Sequence, residues 1–458
     1  METYRNLIIG SGEAGKYLAW TLASQGQKTM VVERRYIGGS CPNIACLPSK
    51  NIIYSAKVAS LRHRGADFGL PFNGAPIDAG AVFNRKRGMI RDLIAIHERR
   101  YHETGAQLVM GHARLAGPRT VEVELNGGGT RNMEAERVFL NVGTRAAVPE
   151  IPGLAGAAPM THVEALDANR IPEHLIILGG GYVGLEMAQS FRRLGSHVTV
   201  IERSAQLAPQ EDEDTGEALL NLFRDEGISV CVNTKLLGVQ GHSGNDCLVK
   251  IEVAGSEQTV QGTDILVAVG RVPNTDGLGL EAAGVELDTR GYVRVNHRLE
   301  TSAPDVWAMG DCAGSPHFTH VSLDDFRIVR DNLAGAQRST KDRLVPFCLF
   351  TDPELARVGL TEKAARQAGI PYQVGKIPGG AVLRTHTLGE TRGFVKALVE
   401  PSTGRILGLT AFLAEASEVM GIVQMAMLSG TPYTLLQNAI WTHPTAAEGV
   451  ASVFGALQ

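Results

Sequence analysis

The feature that most constrains this chain is a unit it carries twice. Near the N-terminus Leu7-Ile8-Ile9 reads as a strand running into Gly10-Ser11-Gly12-Glu13-Ala14-Gly15. A helical stretch follows over 17–25, and a second strand, Thr29-Met30-Val31-Val32, ends in Glu33. In mid-chain Leu175-Ile176-Ile177-Leu178 runs into Gly179-Gly180-Gly181-Tyr182-Val183-Gly184, then a helix, then Val198-Thr199-Val200-Ile201 ending in Glu202. In both copies the acid stands eighteen residues beyond the last glycine. The glycines serve a tight turn, close approach of backbone to a pyrophosphate, and close helix–sheet packing. The helix N-terminus faces the phosphates, and the acid stands where it can accept ribose hydroxyls. A glycine triplet alone is a weak signal. With a strand before it, a helix after it and the acid at this spacing it is a strong one, and two copies imply two bound dinucleotides.

Just after the first unit comes Gly38-Gly39-Ser40-Cys41-Pro42-Asn43-Ile44-Ala45-Cys46-Leu47-Pro48-Ser49-Lys50. Two thiols this close can form a disulfide without large backbone movement, and Lys50 brings a positive charge nearby. The stretch reads as a dithiol/disulfide redox centre fed by a flavin; a structural disulfide or two packed thiols is the competing reading. The first strand begins within a few residues of Met1, leaving no room for a signal peptide, and no apolar run approaches the roughly 20 residues needed to span a bilayer. A soluble cytoplasmic protein with no membrane partner is expected, and in that compartment a disulfide is more often catalytic than structural. The other cysteines, Cys231, Cys247, Cys312 and Cys348, lack metal-ligand spacing and are expected as buried thiols.

At 458 residues the chain exceeds one hydrophobic core, so two or three domains are expected. A formal net charge of -4 gives no basic excess for a nucleic-acid partner. A charged amphipathic helix is read over 85–100, with its basic residues as a solvated face. A strand over 138–144 ends in a turn at Gly143-Thr144, and Pro149, Pro152 and Gly153 mark a crossover into the second unit. That unit closes through Ala268-Val269-Gly270-Arg271. Another strand ends at Gly310-Asp311, an aspartate at the edge where parallel sheets bind ligands, or one that caps the next helix. From about residue 344 the texture becomes α+β. Near the end, in Thr442-His443-Pro444-Thr445-Ala446-Ala447-Glu448, proline favours a helix start just after the histidine. Glu448 could then hold one imidazole nitrogen and leave the other as a base. A helix-end histidine beside a surface glutamate is the plainer account of these residues alone.

Together these motifs resemble the flavin-dependent pyridine nucleotide-disulfide oxidoreductases, among them glutathione reductase, dihydrolipoamide dehydrogenase and mercuric reductase. The likeness covers essentially the whole chain and includes Phe350-Thr351-Asp352-Pro353-Glu354. It implies an α/β fold of two Rossmann-like dinucleotide-binding domains, for FAD and NAD(P), plus a C-terminal α+β dimerisation domain. The expected boundaries are 1–150 and 271–342 for the two parts of the FAD domain, 151–270 for the NAD(P) domain and 343–458 for the interface domain. It implies FAD contacts from Gly10, Gly12, Glu13, Ala14, Gly15, Gly39, Ser40, Gly143, Thr144 and Gly310. Within that set Glu33 resembles the ligand of the adenosine ribose, Ala113 the backbone contact to adenine, and Asp311 the ribityl-binding aspartate. Lys50 and Glu186 are similar to the ion pair beside flavin N5. Gly179, Gly181, Tyr182, Val183, Gly184, Glu202, Arg203, Gly270 and Arg271 complete the cofactor contacts. Cys46 resembles the charge-transfer thiol next to the flavin and Cys41 the interchange thiol facing substrate. His443 with Glu448 resembles an acid–base pair that the family draws from the other subunit, so a homodimer is implied. The family context also implies a reactive thiolate, stabilised by a helix N-terminus and nearby positive charge.

Departures from the family narrow the substrate. Glu13 and Trp20 stand where glutathione reductases place a serine and an arginine, which argues against glutathione. The chain ends Val453-Phe454-Gly455-Ala456-Leu457-Gln458 without the vicinal cysteines of mercuric reductases, and Leu360 replaces their tyrosine. Pro42-Asn43-Ile44-Ala45 differs from the dihydrolipoamide dehydrogenase pattern. The nearest likeness is to the mercuric-reductase-like branch that includes the copper-reducing flavoproteins of bacterial reactive-chlorine resistance. It rests on Ala14-Gly15-Lys16, on 307–311 and on 322–331. The expected function is an NAD(P)H-dependent flavoprotein reductase that passes electrons via FAD to the Cys41–Cys46 disulfide, and on to a metal ion (Cu(II) or Hg(II)), an oxidant or a small disulfide. Soft metal ions suit thiolates. Glu202 favours NADH by repelling a 2′-phosphate, whereas Arg203 could receive one. A dihydrolipoamide dehydrogenase subunit of a multienzyme complex, and an FAD-binding redox sensor or scaffold with little turnover, are the rival readings.

Overall fold

The computed structural model describes every residue except 73 and 75, and the chain divides into two compact units. The first comprises Met1–Asn51, Ala81–Ala147 and Gly270–Arg343; the second comprises Ile52–Gly80, Val148–Val269 and Leu344–Gln458.

In the first unit the strand Glu2–Ile9 lies between two parallel neighbours, Thr29–Glu33 and Thr130–Leu140. Gln107–Leu115 extends the parallel set on one side and Val306–Ala308 on the other. The antiparallel strand Thr120–Leu125 joins Gln107–Leu115 to Thr130–Leu140. Successive side chains of a strand point to opposite faces. Leu7, Ile9, Met30, Val32, Val138 and Leu140 accordingly fill one core, and Ile8, Val31 and Phe139 fill another with the helix residues Leu18 and Ile328. A sheet covered on both faces needs such continuous apolar runs. The register sets Ile9 beside Val32 and Leu140, and Leu140 beside Ala308. The next residues along these strands, Gly10, Glu33, Asn141 and Met309, therefore gather at one C-terminal edge, where such sheets bind ligands.

The second unit repeats the device. Asp264–Val267, His174–Leu178, His197–Ile201 and Ser229–Cys231 form a parallel sheet with Leu178 between Ile201 and Val267. Gly179 and Glu202 follow directly at its edge. Three antiparallel strands, Thr234–His242, Asp246–Val253 and Ser256–Gly262, form a separate sheet inserted in the chain between Ser229–Cys231 and Asp264–Val267. The C-terminal part is a five-stranded antiparallel sheet ordered Phe347–Leu349, Glu354–Gly359, Ile406–Leu413, Phe394–Val399, Gln373–Pro378. Its central strand Ile406–Leu413 is buried along its whole length and packs in one core with the helices Ala416–Leu428 and Glu448–Gly455.

Three local expectations are corrected. The first helix is Glu13–Ser24, starting before residue 17, because the motif's last glycine, Gly15, already belongs to its first turn and Gly12 is its N-cap. The C-terminal helix begins at Glu448, not just after His443, because Thr445 donates its N–H to the Glu448 carboxylate at 2.9 Å and residues 443–447 remain a turn. Cys247 and Cys312 are buried, but Cys231 and Cys348 are only half-buried. Among the described residues no helix is long and apolar enough to cross a membrane.

Candidate active site

The glycine turns are shaped by what surrounds them. A Cβ at Gly10 would lie 2.3 Å from the Asn141 carbonyl oxygen, one at Gly15 would lie 2.3 Å from the Gly10 carbonyl oxygen, and one at Gly12 would lie 2.6 Å from Asn141 Oδ1. Asn141, at the end of the neighbouring strand, accepts from the Gly15 N–H at 2.9 Å and donates to the Met309 carbonyl at 2.9 Å. Ser322 Oγ accepts from the Ala14 N–H at 3.3 Å. The helix start at Gly12 carries no side-chain cap. Glu33 is buried, and its carboxylate accepts from Ser11 N–H and Oγ–H and from the N–H groups of Arg35 and Tyr36, at 2.8 to 3.0 Å. Four donors fill a carboxylate's lone-pair sites, so Glu33 staples the first glycine turn to the chain that follows. Ser11 Oγ in turn accepts from the Gly38 N–H at 2.9 Å, which ties that turn to the start of the cysteine loop.

At the loop, Gly38 and Gly39 take φ of 87° and 79°, and a Cβ at Gly39 would lie 2.5 Å from Gly12 Cα. The loop is thus pressed against the glycine turn, and Asn43 holds its shape by donating to the carbonyls of Ile37 and Gly39. Cys41 lies in the short helix Ser40–Asn43, and Cys46 opens the helix Cys46–His63, whose first turn is a favourable place for a thiolate. The two thiols interact. Cys41 is pushed above its ordinary value first by its hydrogen bond to Cys46, then by burial and by negative charge on Cys46, with Thr319 opposing. The proximity of the two thiols thus favours the protonated form of Cys41. Thr319 is the first residue of the helix Thr319–Leu333, and its Oγ1 lies 3.2 Å from Cys46 Sγ.

Asp311 is held from the side. Thr144 Oγ1 donates to Asp311 Oδ2 at 2.6 Å, and Arg271 donates through Nε to Thr144 Oγ1 at 2.7 Å and through Nη2 to the Thr144 carbonyl at 2.9 Å. Gly270 and Arg271 both belong to the first unit, and Arg271 opens the short strand Arg271–Pro273 that pairs antiparallel with Thr144–Ala146. Positions Gly143 and Gly270 open onto free space. Ala113 is buried in Gln107–Leu115, opposite Val123. Excluded Cβ positions at a glycine turn that opens a helix, and a fixed aspartate beside it, fit a flavin dinucleotide.

In the second unit a Cβ at Gly179 would lie 2.5 Å from the Ala268 carbonyl oxygen, and one at Gly184 would lie 2.1 Å from the Gly179 carbonyl oxygen. Gly181, the uncapped start of the helix Tyr182–Leu194, faces open space, with exposed Val183 nearby. Glu202 is buried and accepts from the Gly180 N–H at 2.6 Å and the Ser204 N–H at 2.7 Å, which leaves acceptor capacity for two more donors. Arg203 is exposed beside it. Tyr182 donates to Glu211 at 2.7 Å, and its ring lies 5.3 Å from Phe347; burial first, then the Glu211 charge, push its phenol up. These groups fit a nicotinamide dinucleotide. Glu186, on the same helix, accepts from the Phe350 N–H at 3.0 Å. Its expected partner Lys50 belongs to the first unit.

His443 is exposed, and its Nδ1 lies 2.9 Å from Glu448 Oε1. The Thr445 N–H and then His443 hold the Glu448 carboxyl below its ordinary value. A carboxylate fixed on Nδ1 sets the ring's orientation and makes Nε2 the nitrogen for proton exchange. Thr319, Asn141 and Ser322 are site residues that sequence reasoning missed. A threonine opening a helix is the one available signal for Thr319. Ser322 lies in a stretch read only as a likeness, and Asn141 is one polar residue in an apolar strand. Among the described residues no group of three or more His, Cys, Asp or Glu is placed to hold a metal ion.

A half-buried thiol pair pressed against the first glycine turn, with two dinucleotide cradles in one chain, defines a disulfide oxidoreductase, and comparison with known proteins agrees. The pyridine nucleotide-disulphide oxidoreductase family matches residues 4–325, and that family's dimerisation domain matches 345–453. The chain belongs to this family: it is an enzyme, a flavoprotein of the kind that uses FAD and NAD(P)H. It is 34% identical to the probable pyridine nucleotide-disulfide oxidoreductase RclA of Escherichia coli over the full length of both chains. It is 34% identical to a dihydrolipoyl dehydrogenase of Thermus scotoductus, covering 100% of this chain and 98% of the relative. A mercuric reductase of Streptomyces lividans is 35% identical, over 98% of this chain and 94% of its own. The solved Cu(II) complex of the HOCl-induced flavoprotein disulfide reductase RclA from Escherichia coli superposes with a TM-score of 0.90 at 34% identity, covering 99% of both chains.

Proposed function

We propose that this enzyme is an NAD(P)H-dependent reductase whose Cys41–Cys46 pair delivers electrons to a soft metal ion such as Cu(II) or Hg(II), to an oxidant, or to a small disulfide. The observation that carries this reading is the contact of the Cys41 and Cys46 thiols with each other, with Thr319 Oγ1 3.2 Å from Cys46 Sγ. The solved Cu(II) complex of the RclA relative supports the metal acceptor. Bound FAD would supply the two-electron exchange between nicotinamide and the cysteine pair. NAD(P)H, one proton and the Cys41–Cys46 disulfide give NAD(P)⁺ and the dithiol. The dithiol then reduces R–S–S–R to two thiols, or two Cu(II) to two Cu(I) with release of two protons, and the disulfide re-forms.

The residues divide the work. Gly10, Gly12 and Gly15 admit the FAD pyrophosphate, and Thr144 presents Asp311 to the ribityl chain. Lys50 and Glu186 act as a charge pair at the flavin, Cys46 faces it, and Cys41 faces the acceptor. His443 of the partner subunit, oriented by Glu448, removes the Cys41 proton that the thiol pair otherwise retains, so the working form is a homodimer in the cytoplasm. Glu202, with its remaining acceptor capacity, takes both ribose hydroxyls of NADH, which makes NADH the preferred donor over NADPH.

The test is steady-state turnover of purified holoenzyme with NADH or NADPH against Cu(II), Hg(II), lipoamide and a model disulfide. Cys41→Ser is expected to abolish turnover while NADH still bleaches the flavin. Turnover of none of these acceptors would overturn the substrate list, turnover of lipoamide alone would return the enzyme to the dihydrolipoamide dehydrogenases, and a higher kcat/KM with NADPH would overturn the donor preference.

A further inference from the structure

The turn that carries Asp311 has a second support that the redox chemistry does not use. Asp325 lies on the helix Thr319–Leu333 with no exposed surface. Its Oδ2 accepts from the Gly310 N–H at 2.7 Å and from Ser315 Oγ at 2.8 Å, so one oxygen grips both ends of the segment 310–315. Its Oδ1 is paired with Arg343, whose side chain is 12% exposed and whose Nε lies 3.2 Å from Asp324 Oδ2. Gly310 takes φ of 71°, and a Cβ there would lie 2.8 Å from Ser322 Oγ and 3.0 Å from Asn141 Nδ2, so the turn has no room to shift that way. Burying a carboxylate is costly unless it is paired and hydrogen-bonded. Here both conditions are met, and the bonds are spent on the peptide next to Asp311.

We propose that Asp325 is a positioning residue for the flavin site: its carboxylate fixes the backbone of the Gly310–Ser315 turn, so that Asp311 is presented to the flavin's polyol chain without reorganisation on binding. This rests on the reading of Asp311 as a flavin contact. Asp311 is then held twice, at its side chain by Thr144 and at its backbone by Asp325. Groups held in place before the ligand arrives lose less freedom on binding.

The experiment compares holoenzyme with Asp325→Asn, Ser315→Ala, Asp311→Asn and the double variant Asp325→Asn/Arg343→Gln. It reads FAD dissociation on dilution, the visible flavin spectrum, and thermal unfolding. An amide cannot present oxygen both to Gly310 and to Arg343, so Asp325→Asn is expected to weaken FAD binding by about tenfold, the worth of one lost buried hydrogen bond, and to alter the flavin spectrum. Ser315→Ala, which leaves the ion pair intact, is expected to weaken FAD binding by about threefold and keeps the test available if Asp325→Asn does not fold. A glutamine at 343 can accept from the new amide, so the double variant is expected to recover most of the affinity. Lowered thermal stability with unchanged FAD affinity and spectrum in Asp325→Asn and Ser315→Ala would overturn the proposal. If Asp311→Asn also leaves FAD binding unchanged, the reading of Asp311 itself is wrong; if it weakens FAD while the other two do not, only the role of Asp325 falls.

Discussion

At the scale of single residues, the proposed chemistry turns on where one proton sits. Cys41 holds it through Cys46 and burial, and the Thr319 hydroxyl works in the other direction by favouring the ionised sulfur. Thr319→Val removes that hydroxyl without much change of volume. The Cys41 pKa then rises further, so less thiolate exists at a given pH and the rising limb of the pH–rate profile moves to the alkaline side. A hydrogen bond to a charged group is worth about 1.5–3 kcal/mol, so kcat near neutral pH is expected to fall about tenfold or more, with Thr319→Ser recovering most of it. Profiles of kcat between about pH 6 and 9 for the three proteins check this; an unmoved limb would exclude the hydroxyl from thiol activation. Thr319 was invisible in the sequence for a physical reason. It meets Cys46 across 273 residues of chain, and a single threonine carries no spacing that announces such a partner. The cysteines, by contrast, were legible because both thiols lie within one loop.

At the scale of elements, the two glycine units are the most legible part of the chain, since strand, turn, helix and acid are all local and each constrains the next. What the pattern left out is what fills each turn. Around Gly12 the space is taken by the Asn141 amide, whereas Gly181 faces open space. The third glycines are alike, each closed by the carbonyl of the first glycine of its own turn. Adding a methyl group there is overpacking, which costs about 1–3 kcal/mol, and the two copies should report it differently. Gly15→Ala is expected to lower FAD retained per subunit. Gly184→Ala is expected to leave FAD content unchanged and to raise KM for NADH about tenfold or more. Flavin content by absorbance and steady-state KM decide the matter; loss of FAD in Gly184→Ala would mean that the second cradle does not serve the nicotinamide. The His443 segment was legible as a pair and not as an element. The five-residue spacing of histidine and glutamate gave the contact, but the proline signal misplaced the helix. The turn before that helix is closed by the Glu448 side chain, which accepts from the Thr445 N–H, a local side-chain contact that proline statistics do not contain.

At the scale of the whole molecule, the residues proposed to carry turnover belong to different units of the chain. Cys41 and Cys46 belong to the first unit, and His443 with Glu448 to the second, within the stretch matched by the family's dimerisation domain. If the base serving Cys41 comes from the partner subunit, one chain with Cys41→Ser and another with His443→Gln are each inactive as homodimers. A general base contributes about 10²–10⁴-fold, so neither alone gives appreciable turnover. Mixed dimers differ according to the origin of the base. Were it to come from the same chain, one site would lack its thiol and the other its histidine, and activity would be absent. When it comes across the interface, one site combines both defects and the other combines an intact Cys41 with an intact His443. The purified heterodimer, isolated with two different affinity tags, is therefore expected to show about half the wild-type kcat. A heterodimer as inactive as its parents would place His443 and Cys41 of one chain in a single site and remove the catalytic reason for dimerisation.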